Sequence, residues 1–554
     1  MSVPASASGS RPVSIKAAEP EPAPPAFNPG WRFYLAFSSL SIITLMAALD
    51  ATSLSVALPI MAKALHGSAI QAFWAATSFL LTSTVFQPVV GNFSDVFGRR
   101  PLIYISLAFF TAGAIIAGVA NNFTVILVGR SIQGIGGGGI IILTEIVVTD
   151  MVPLRERGKW FSFISSMWAL GTVAGPLLGG GFAQNVTWRW IFWINFPFIA
   201  ISLLFVTLFL RLNYKVGSFM EKLQRIDWIG TVLFIASMTG FLIPLTWGGV
   251  MYPWSHWRTL VPLIVCAAGL VALIVYEESL SRRGFEPVIR TEVLKNRTAA
   301  VTMFGTFIHG IVLWAILYYL PLYFEGVHGF SAILTGVALF PLTFTVAPAS
   351  VATGVAIAIS GRYRWSTWVG WFLTVFGLGL MTMLKTHTST AAWVFLTLVP
   401  GIGTGMLFAA MAIAVQASST DKLMSHAVIM NALFRSLGQT VGSAIGGVIV
   451  QNQMKKKLLK YPLLADKADA YSRDASGLVQ IIKNMPESLA KSQLKDAYVD
   501  ALKVLMIVMC ALSALAFIAS WFTEGHPLDR ELVTEQGFQD GKKTTDEEKV
   551  KTEG

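Results

Sequence analysis

Two charged residues stand where charge is most expensive. Asp50 lies inside the apolar run 34–59 and is its only acid, and Arg130 lies inside the apolar run 123–148. Charge deep in a long apolar segment marks either a buried pair or a functional group. A carboxyl in such a place can hold and release a proton near neutral pH. A buried guanidinium stays charged and needs a partner, so it can tune or gate that carboxyl. The plainer alternative makes both residues packing pins, with Asp50 held by Thr52 or a neighbouring helix and Arg130 orienting its helix by pairing. A third charged group lies between two apolar runs, in Gly91–Pro101 (GNFSDVFGRRP). Asp95 precedes Arg99 by one helical turn, between Gly91 and Gly98, so the two can pair. Asp95 can equally face the positive N-terminal end of another helix. Such a contact would act as a latch, closing one side of the protein and breaking when that side opens. The alternative is a loop whose positive charge only sets membrane orientation.

The elements that position these residues are membrane helices. Of 554 residues, 54% are hydrophobic and 13% charged, and the mean hydropathy is +0.63. Soluble domains carry about 25% charged residues, and a helix crossing the bilayer needs about 20 mostly apolar ones. Fourteen spans are expected, near 34–59, 70–92, 102–120, 123–148, 159–182, 189–210, 228–247, 259–279, 299–324, 331–358, 366–385, 391–415, 427–450 and 501–522. With the N-terminus inside, the short inner loops hold seventeen Lys and Arg against four in the short outer loops, the bias of an inside N-terminus. The net charge of +11 therefore reflects topology, and no nucleic-acid partner is implied. The two cysteines, Cys266 and Cys510, fall in apolar runs and suggest neither a disulfide nor a metal site. Residues 1–33 have no signal-peptide core and read as a disordered cytosolic tail. Residues 523–554 read as a charged cytosolic tail, also expected to be disordered.

The chain repeats. Leu58-Pro59 and His66-Gly67 recur as Leu320-Pro321 and His328-Gly329, Gly91…Gly98-Arg99 as Gly354…Gly361-Arg362, Gly134-Ile-Gly136 as Gly401-Ile-Gly403, and Gly171, Gly175, Gly179, Gly180 as Gly438, Gly442, Gly446, Gly447. The offsets stay between 262 and 267. Residues 34–210 and 299–522 are therefore expected to be parallel six-helix bundles, with 211–298 a linker carrying two extra spans and 451–500 a long outer loop. Parallel six-helix repeats are a secondary-transporter architecture with substrate bound at the midplane between the halves. Asp95 has no counterpart, since Ala358 occupies its place.

Four motifs in order resemble the major facilitator superfamily: GNFSDVFGRRP its signature loop, ALDATSLSVALP (48–59) the first-helix motif of its fourteen-span drug:proton antiporters, ILVGRSIQGIGGGG (126–139) the fourth-helix motif, and GTVAGPLLGGG (171–181) the fifth-helix antiporter motif. The resemblance covers about residues 34–522. It implies an all-α polytopic membrane protein with the major facilitator fold, two six-helix bundles plus two inserted helices. It also implies a fungal-type, proton-coupled exporter of drugs, toxins or secondary metabolites. Arg130 is tied to proton transfer by the same resemblance, and the fifth-helix motif to export over import. An importer of a nutrient or iron chelate on the same fold is the alternative.

The remaining residues are read one by one. Gly171, Gly175 and Gly179 recur every fourth position and make a close helix seam, with Pro176 permitting a bend. Gly134–Gly139 also fits G-x-G-x-x-G, but no strand precedes it and it lies in a membrane helix, so it binds no dinucleotide. No Walker A sequence is present, and no nucleophile–base or metal-ligand set suggests an enzyme. Arg435 is expected at the start of the thirteenth span, where Asp95 would dock. Glu145, nearer the inner surface, is expected to be structural or part of the inner gate. His309, Gln133 and Trp314 are cavity candidates, with a satisfied core histidine the alternative for His309. Asn122 and Asn185 head sequons in short outer loops. The expected partners are a small-molecule substrate, protons and the bilayer. The chain is expected to be monomeric, without cofactor, in the plasma membrane or alternatively the vacuolar membrane.

Overall fold

The computed structural model describes residues 27–67, 69–213, 218–249, 251–282, 287–473, 475–530, 532, 534 and 536–539. It is helical almost throughout, with two isolated β-bridges among the described residues. The long helices are α1 (Trp31–Ala64), α2 (Ala69–Phe97), α3 (Arg99–Gly118), α4 (Phe123–Met151), α5 (Leu154–Asn185), α6 (Trp190–Phe209, interrupted at Ile194), α7 (Trp228–Trp247), α8 (Trp257–Arg282), α9 (Arg297–Gly326), α10 (Phe340–Ser360), α11 (Arg364–Met381), α12 (Thr390–Ala417), α13 (Met424–Leu458) and α14 (Leu489–Ser520). Twelve helices among the described residues are long and apolar enough to cross a membrane. α2 and α11 fall on the other two expected spans but are not among those twelve, so fourteen crossings are not reached by this measure.

Glycines set the packing. A Cβ on Gly175 would lie 2.0 Å from Thr52 Oγ1, and one on Gly179 2.0 Å from the Ser53 carbonyl oxygen, so α5 lies directly on α1. In the second half, a Cβ on Gly438 or Gly442 would fall 2.1 or 2.4 Å from the carbonyl oxygen of Phe307 or Ile311, placing α13 on α9 in the same way. One on Gly134 or Gly401 would fall 2.5 Å from a carbonyl oxygen, that of Phe79 on α2 or Leu342 on α10. One on Gly136 or Gly403 would fall 2.4 or 2.5 Å from the backbone nitrogen of Phe110 or Thr374. Helices that meet through hydrogen side chains gain van der Waals contact that lipid cannot supply. The repeated glycines thus build the same three helix seams twice.

The two halves meet at α5–α10 and α2–α13. Gly158 and Gly354 bring α5 and α10 into backbone contact, and Ser162 Oγ donates to the Ser350 carbonyl at 2.8 Å. Gly91 faces Ile429 of α13.

The long stretch 451–500, helical-looking and amphipathic in composition, is largely helical: α13 runs on to Leu458, α14 begins at Leu489, and the short helices Ala468–Arg473 and Ala475–Asn484 fill most of the gap. The reason is amphipathicity: Leu464, Leu478, Val479, Ile482 and Leu494 bury against α9, α13 and α14. The tail after Thr523 is not free where it is described. Leu528 buries in a cluster with Leu154, Ile357, Tyr363 and Ile413, residues from both halves. Residues 1–26 and 540–554 of the expected tails lie outside the described residues.

Candidate functional site

Asp50 sits at the centre of a buried polar cluster built from four helices of the first half. Its Oδ2 accepts from Arg130 Nη1 at 2.5 Å, and its Oδ1 accepts from Gln133 Nε2 at 2.8 Å and Asn195 Nδ2 at 2.9 Å. Arg130 also donates to Gln133 Oε1 at 2.8 Å and, through Nε, to the Ala75 carbonyl of α2 at 3.2 Å. Its guanidinium lies 4.4 Å from the Phe79 ring centroid, a favourable cation–π placement. The glycine motif makes this possible, since a Cβ on Gly137 would sit 2.7 Å from the Phe79 ring. Asn195 reaches Asp50 from the point where α6 restarts after its interruption. Asp50 and Arg130 are 1% exposed and Gln133 is fully buried. A charge pair so far from water is held only because each partner neutralises the other and hydrogen bonds fill the remaining sites. Among the described residues Arg130 Nη2 has no hydrogen-bond partner.

The cluster sorts the expected residues. Asp50 and Arg130 come together. Gln133 holds Asp50 and accepts from Arg130. His309 lies elsewhere: it packs on Phe408 of α12, with Nε2 3.0 Å from the Thr404 carbonyl oxygen, as a satisfied core histidine. Trp314 is half-buried on α9. Asn195 was not anticipated, because a lone Asn in an apolar run carries no sequence signal until its partner is placed.

A second cluster gathers at the end of the bundle that holds Gly91–Pro101. Arg99 is almost fully buried and pairs with Asp95 Oδ1 at 2.6 Å and Asp150 Oδ2 at 3.0 Å. Its Nη1 donates to Ser94 Oγ at 2.7 Å, and its Nη2 crosses to the second half, donating to Ser425 Oγ at 2.8 Å on the first turn of α13. Gly98 caps α3 at φ +100°, a conformation that favours glycine. Arg157 donates to the carbonyls of Val152 and Thr149 and reaches Gln416 Oε1 at 3.0 Å, again across the halves. Arg155 donates to the Ala358 carbonyl at 2.8 Å. This end of the molecule is closed.

Arg435 does not meet Asp95. α13 starts about three turns earlier at Met424, so Arg435 sits deeper and pairs with Glu145 of α4. Ser425 takes the place expected for it. Asp150, Ser425 and Gln416 were missed. The signal for Asp150 was an acid closing the fourth apolar run just before the Arg155–Arg157–Lys159 loop. Asn122 Oδ1 caps α4 by accepting from the Val125 amide, and Asn185 Nδ2 donates to the Gly181 carbonyl.

The described C-terminal segment runs across this closed end. Glu524 N donates to Thr298 Oγ1 in the second half, Arg530 donates to the Ser419 carbonyl, and Asp529 pairs with Arg155 in the first half at 2.8 Å. Thr534 donates to Asp150 Oδ1 at 2.7 Å, and Gln536 accepts from the Arg99 amide at 3.1 Å. Phe538 packs on Phe33.

A paired acid is thus buried in one bundle, and a charged cluster closes one end between two glycine-matched bundles. Residues 40–443 match the Major Facilitator Superfamily. The chain belongs to the major facilitator superfamily. Members carry small molecules through a membrane, and this one is a multi-pass membrane transporter. It is 62% identical over 536 residues to "MFS transporter L2" of Phoma sp., covering 97% of this chain and 89% of that protein. It is 37% identical to "Efflux pump FUS6" of Gibberella fujikuroi, with 97% of each covered. Among solved structures, the proton:xylose symporter XylE bound to 6-bromo-6-deoxy-D-glucose matches at 14% identity with a TM-score of 0.56, covering 90% of this chain and 98% of that one. The human organic anion transporter MFSD10 matches at 14% and 0.55, covering 89% and 100%. At that identity the structures speak for the fold alone.

Proposed function

We propose that this transporter is an antiporter that exports small hydrophobic or amphipathic organic molecules in exchange for protons across the plasma membrane, as a monomer and without catalysing a reaction. The observation that carries the proposal is the buried Asp50–Arg130 pair. Protonating Asp50 removes its charge and loosens its hold on Arg130 Nη1, and the guanidinium, whose Nη2 is already without a partner, can then turn to a new one. Deprotonation restores the pair. Two arrangements of one buried arginine are a means by which proton occupancy can bias two states of the bundle. The Asp95–Arg99–Asp150 cluster with Ser425 is the latch that keeps the cytoplasmic end shut in one of those states. The Gly171–Gly175–Gly179 seam, with Pro176 beside it, lets α5 move with α1 as one body. The outward direction is supported by the efflux pumps among the relatives. A membrane potential of 100 mV contributes about 2.3 kcal/mol per charge and each pH unit about 1.4 kcal/mol. One proton therefore sustains a substrate ratio on the order of 10² or more.

The test is flux in proteoliposomes with an imposed pH gradient, using a panel of hydrophobic fluorescent dyes. Wild-type protein should show gradient-dependent flux, and Asp50→Asn should reach the membrane in equal amount yet lose the dependence on the gradient. Retained coupling in Asp50→Asn would remove Asp50 from the mechanism. If expressing cells accumulate more dye than cells without the protein, the direction is import.

A further inference from the structure

The inserted helices α7 and α8 carry a pair of carboxyls that neither the Asp50 cluster nor the latch uses. Glu277, near the end of α8, is 1% exposed, and among the described residues neither of its carboxyl oxygens has a hydrogen-bond partner. The Val288 and Ile289 amides face it but close no hydrogen bond of full geometry. No cation is placed against it among the described residues. Its charged neighbour is Asp227, which caps α7. Asp227 Oδ1 is taken, accepting from the Gly230 amide at 2.9 Å and the Tyr276 hydroxyl at 3.1 Å, while its Oδ2 is left without a partner. A Cβ on Gly230 would lie 2.1 Å from Asp227 Oδ2 and 3.0 Å from Glu277 Oε1, so the two idle oxygens are no more than about 5 Å apart. Two negative carboxylates cannot both stay ionised at that separation in a buried site.

We propose that Asp227 and Glu277 form a second proton-binding site, with one proton held between them while the cytoplasmic end is closed. Glu277 carries the proton and donates it toward Asp227 Oδ2. Asp227 remains the carboxylate, steadied by the Gly230 amide, the Tyr276 hydroxyl and the positive end of α7. The arrangement suits a proton and not a metal cation, which would need more oxygen ligands than two carboxyls and a phenol supply. On release the proton leaves Glu277 as its carboxylate and passes to water at the cytoplasmic face. The exit is at hand: a small cavity beside Asp227 is walled by Arg225, Asn92, Asp95, Val288 and His426. The inserted pair thus touches the last turns of α2, which carry Asp95, and Asn92 Nδ2 donates to the Val288 carbonyl within the same contact. Among the described residues, the titratable and charged groups around the site are Asp227 and, bonded to it, Tyr276, with Arg225, Asp95 and His426 across the cavity.

The site can be read without any transport, so its failure and the failure of proton-coupled export are separate results. Infrared difference spectra of the full-length protein in lipid nanodiscs, titrated from acid to alkaline pH, should show a protonated-carboxyl stretch that persists at neutral pH. Glu277→Gln should lose that band. Asp227→Asn, which keeps the helix cap and removes the like charge, should shift its disappearance to lower pH by about a unit or more. Asp50→Asn should leave it in place. A wild-type spectrum without such a band at neutral pH, a band untouched by Glu277→Gln, or one lost in Asp50→Asn would each overturn the assignment. Should Glu277→Gln fail to fold, the shift in Asp227→Asn decides alone.

Discussion

Closure of the end that holds Gly91–Pro101 should be far more sensitive to Gly354 than to its repeat partner Gly91. A methyl group on Gly354 would fall 2.3 Å from the Gly158 carbonyl oxygen and 2.5 Å from its carbon, both backbone atoms of a packed helix. On Gly91 the obstacle is the tip of Ile429, with Cδ1 and Cγ1 each 2.7 Å away, and a side-chain tip can turn aside. Overpacking against atoms that cannot move costs about 1–3 kcal/mol, and here the strain is relieved by parting α5 from α10. A shift of that size changes the open-to-closed ratio about 5- to 150-fold, whereas Gly91→Ala should stay near the bottom of the range. The assay is thiol accessibility of Ala414→Cys, buried in the contact between the halves, in a background with Cys266→Ala and Cys510→Ala. In inside-out vesicles the labelling rate follows the population of the open state. Gly354→Ala should raise it roughly tenfold. An unchanged rate in Gly354→Ala, or an equal or larger rise in Gly91→Ala, would refute the argument that backbone contact at α5–α10 sets closure.

Other perturbations follow from the same contacts. Arg130→Ala should destabilise the purified protein by about 3–5 kcal/mol, because it leaves a buried carboxylate unpaired, and Asp50→Ala in the same chain should recover much of that loss in thermal melts. Removing residues 523–554 should leave α14 and the fold intact yet raise Ala414→Cys labelling, since burial of Leu528 alone is worth about 1.5–3 kcal/mol to the closed end. Gly175→Val should abolish correct assembly, its Cβ falling 2.0 Å from Thr52 Oγ1, while Gly180→Ala, with nothing nearer than Val56 Cγ2 at 3.9 Å, should be within about 0.5 kcal/mol of wild type by melting.

Much of this protein is legible in its residues because membrane helices obey few rules. An apolar run of sufficient length must be a helix, since lipid offers no other partner for its backbone. Glycines at four-residue spacing must be seams, and the recurrence of Gly134-Ile-Gly136 as Gly401-Ile-Gly403 announces that two seams are alike. A lone acid in one such run and a lone arginine in another have strong reason to meet, as Asp50 and Arg130 do. Asp95 and Arg99, one turn apart across Gly98, pair without help from the rest of the chain.

What the residues leave open is azimuth and docking. A membrane helix is apolar on every side, so its hydrophobic pattern does not say which face turns toward which neighbour. Asn195 and Gln133 become ligands of Asp50 only when α4 and α6 are rotated into place. Arg99 finds Ser425, Arg157 finds Gln416 and Arg435 finds Glu145 across sequence separations of 326, 259 and 290 residues, where nothing local encodes the contact. The C-terminal segment reads as a polar tail because its few apolar residues have no periodicity; the contact between the halves gives Leu528 a place to bury, and Phe538 packs on Phe33 of α1. The first-half seams and charges are thus decided by composition and spacing, while the contacts that join the halves exist only once the two bundles are packed together.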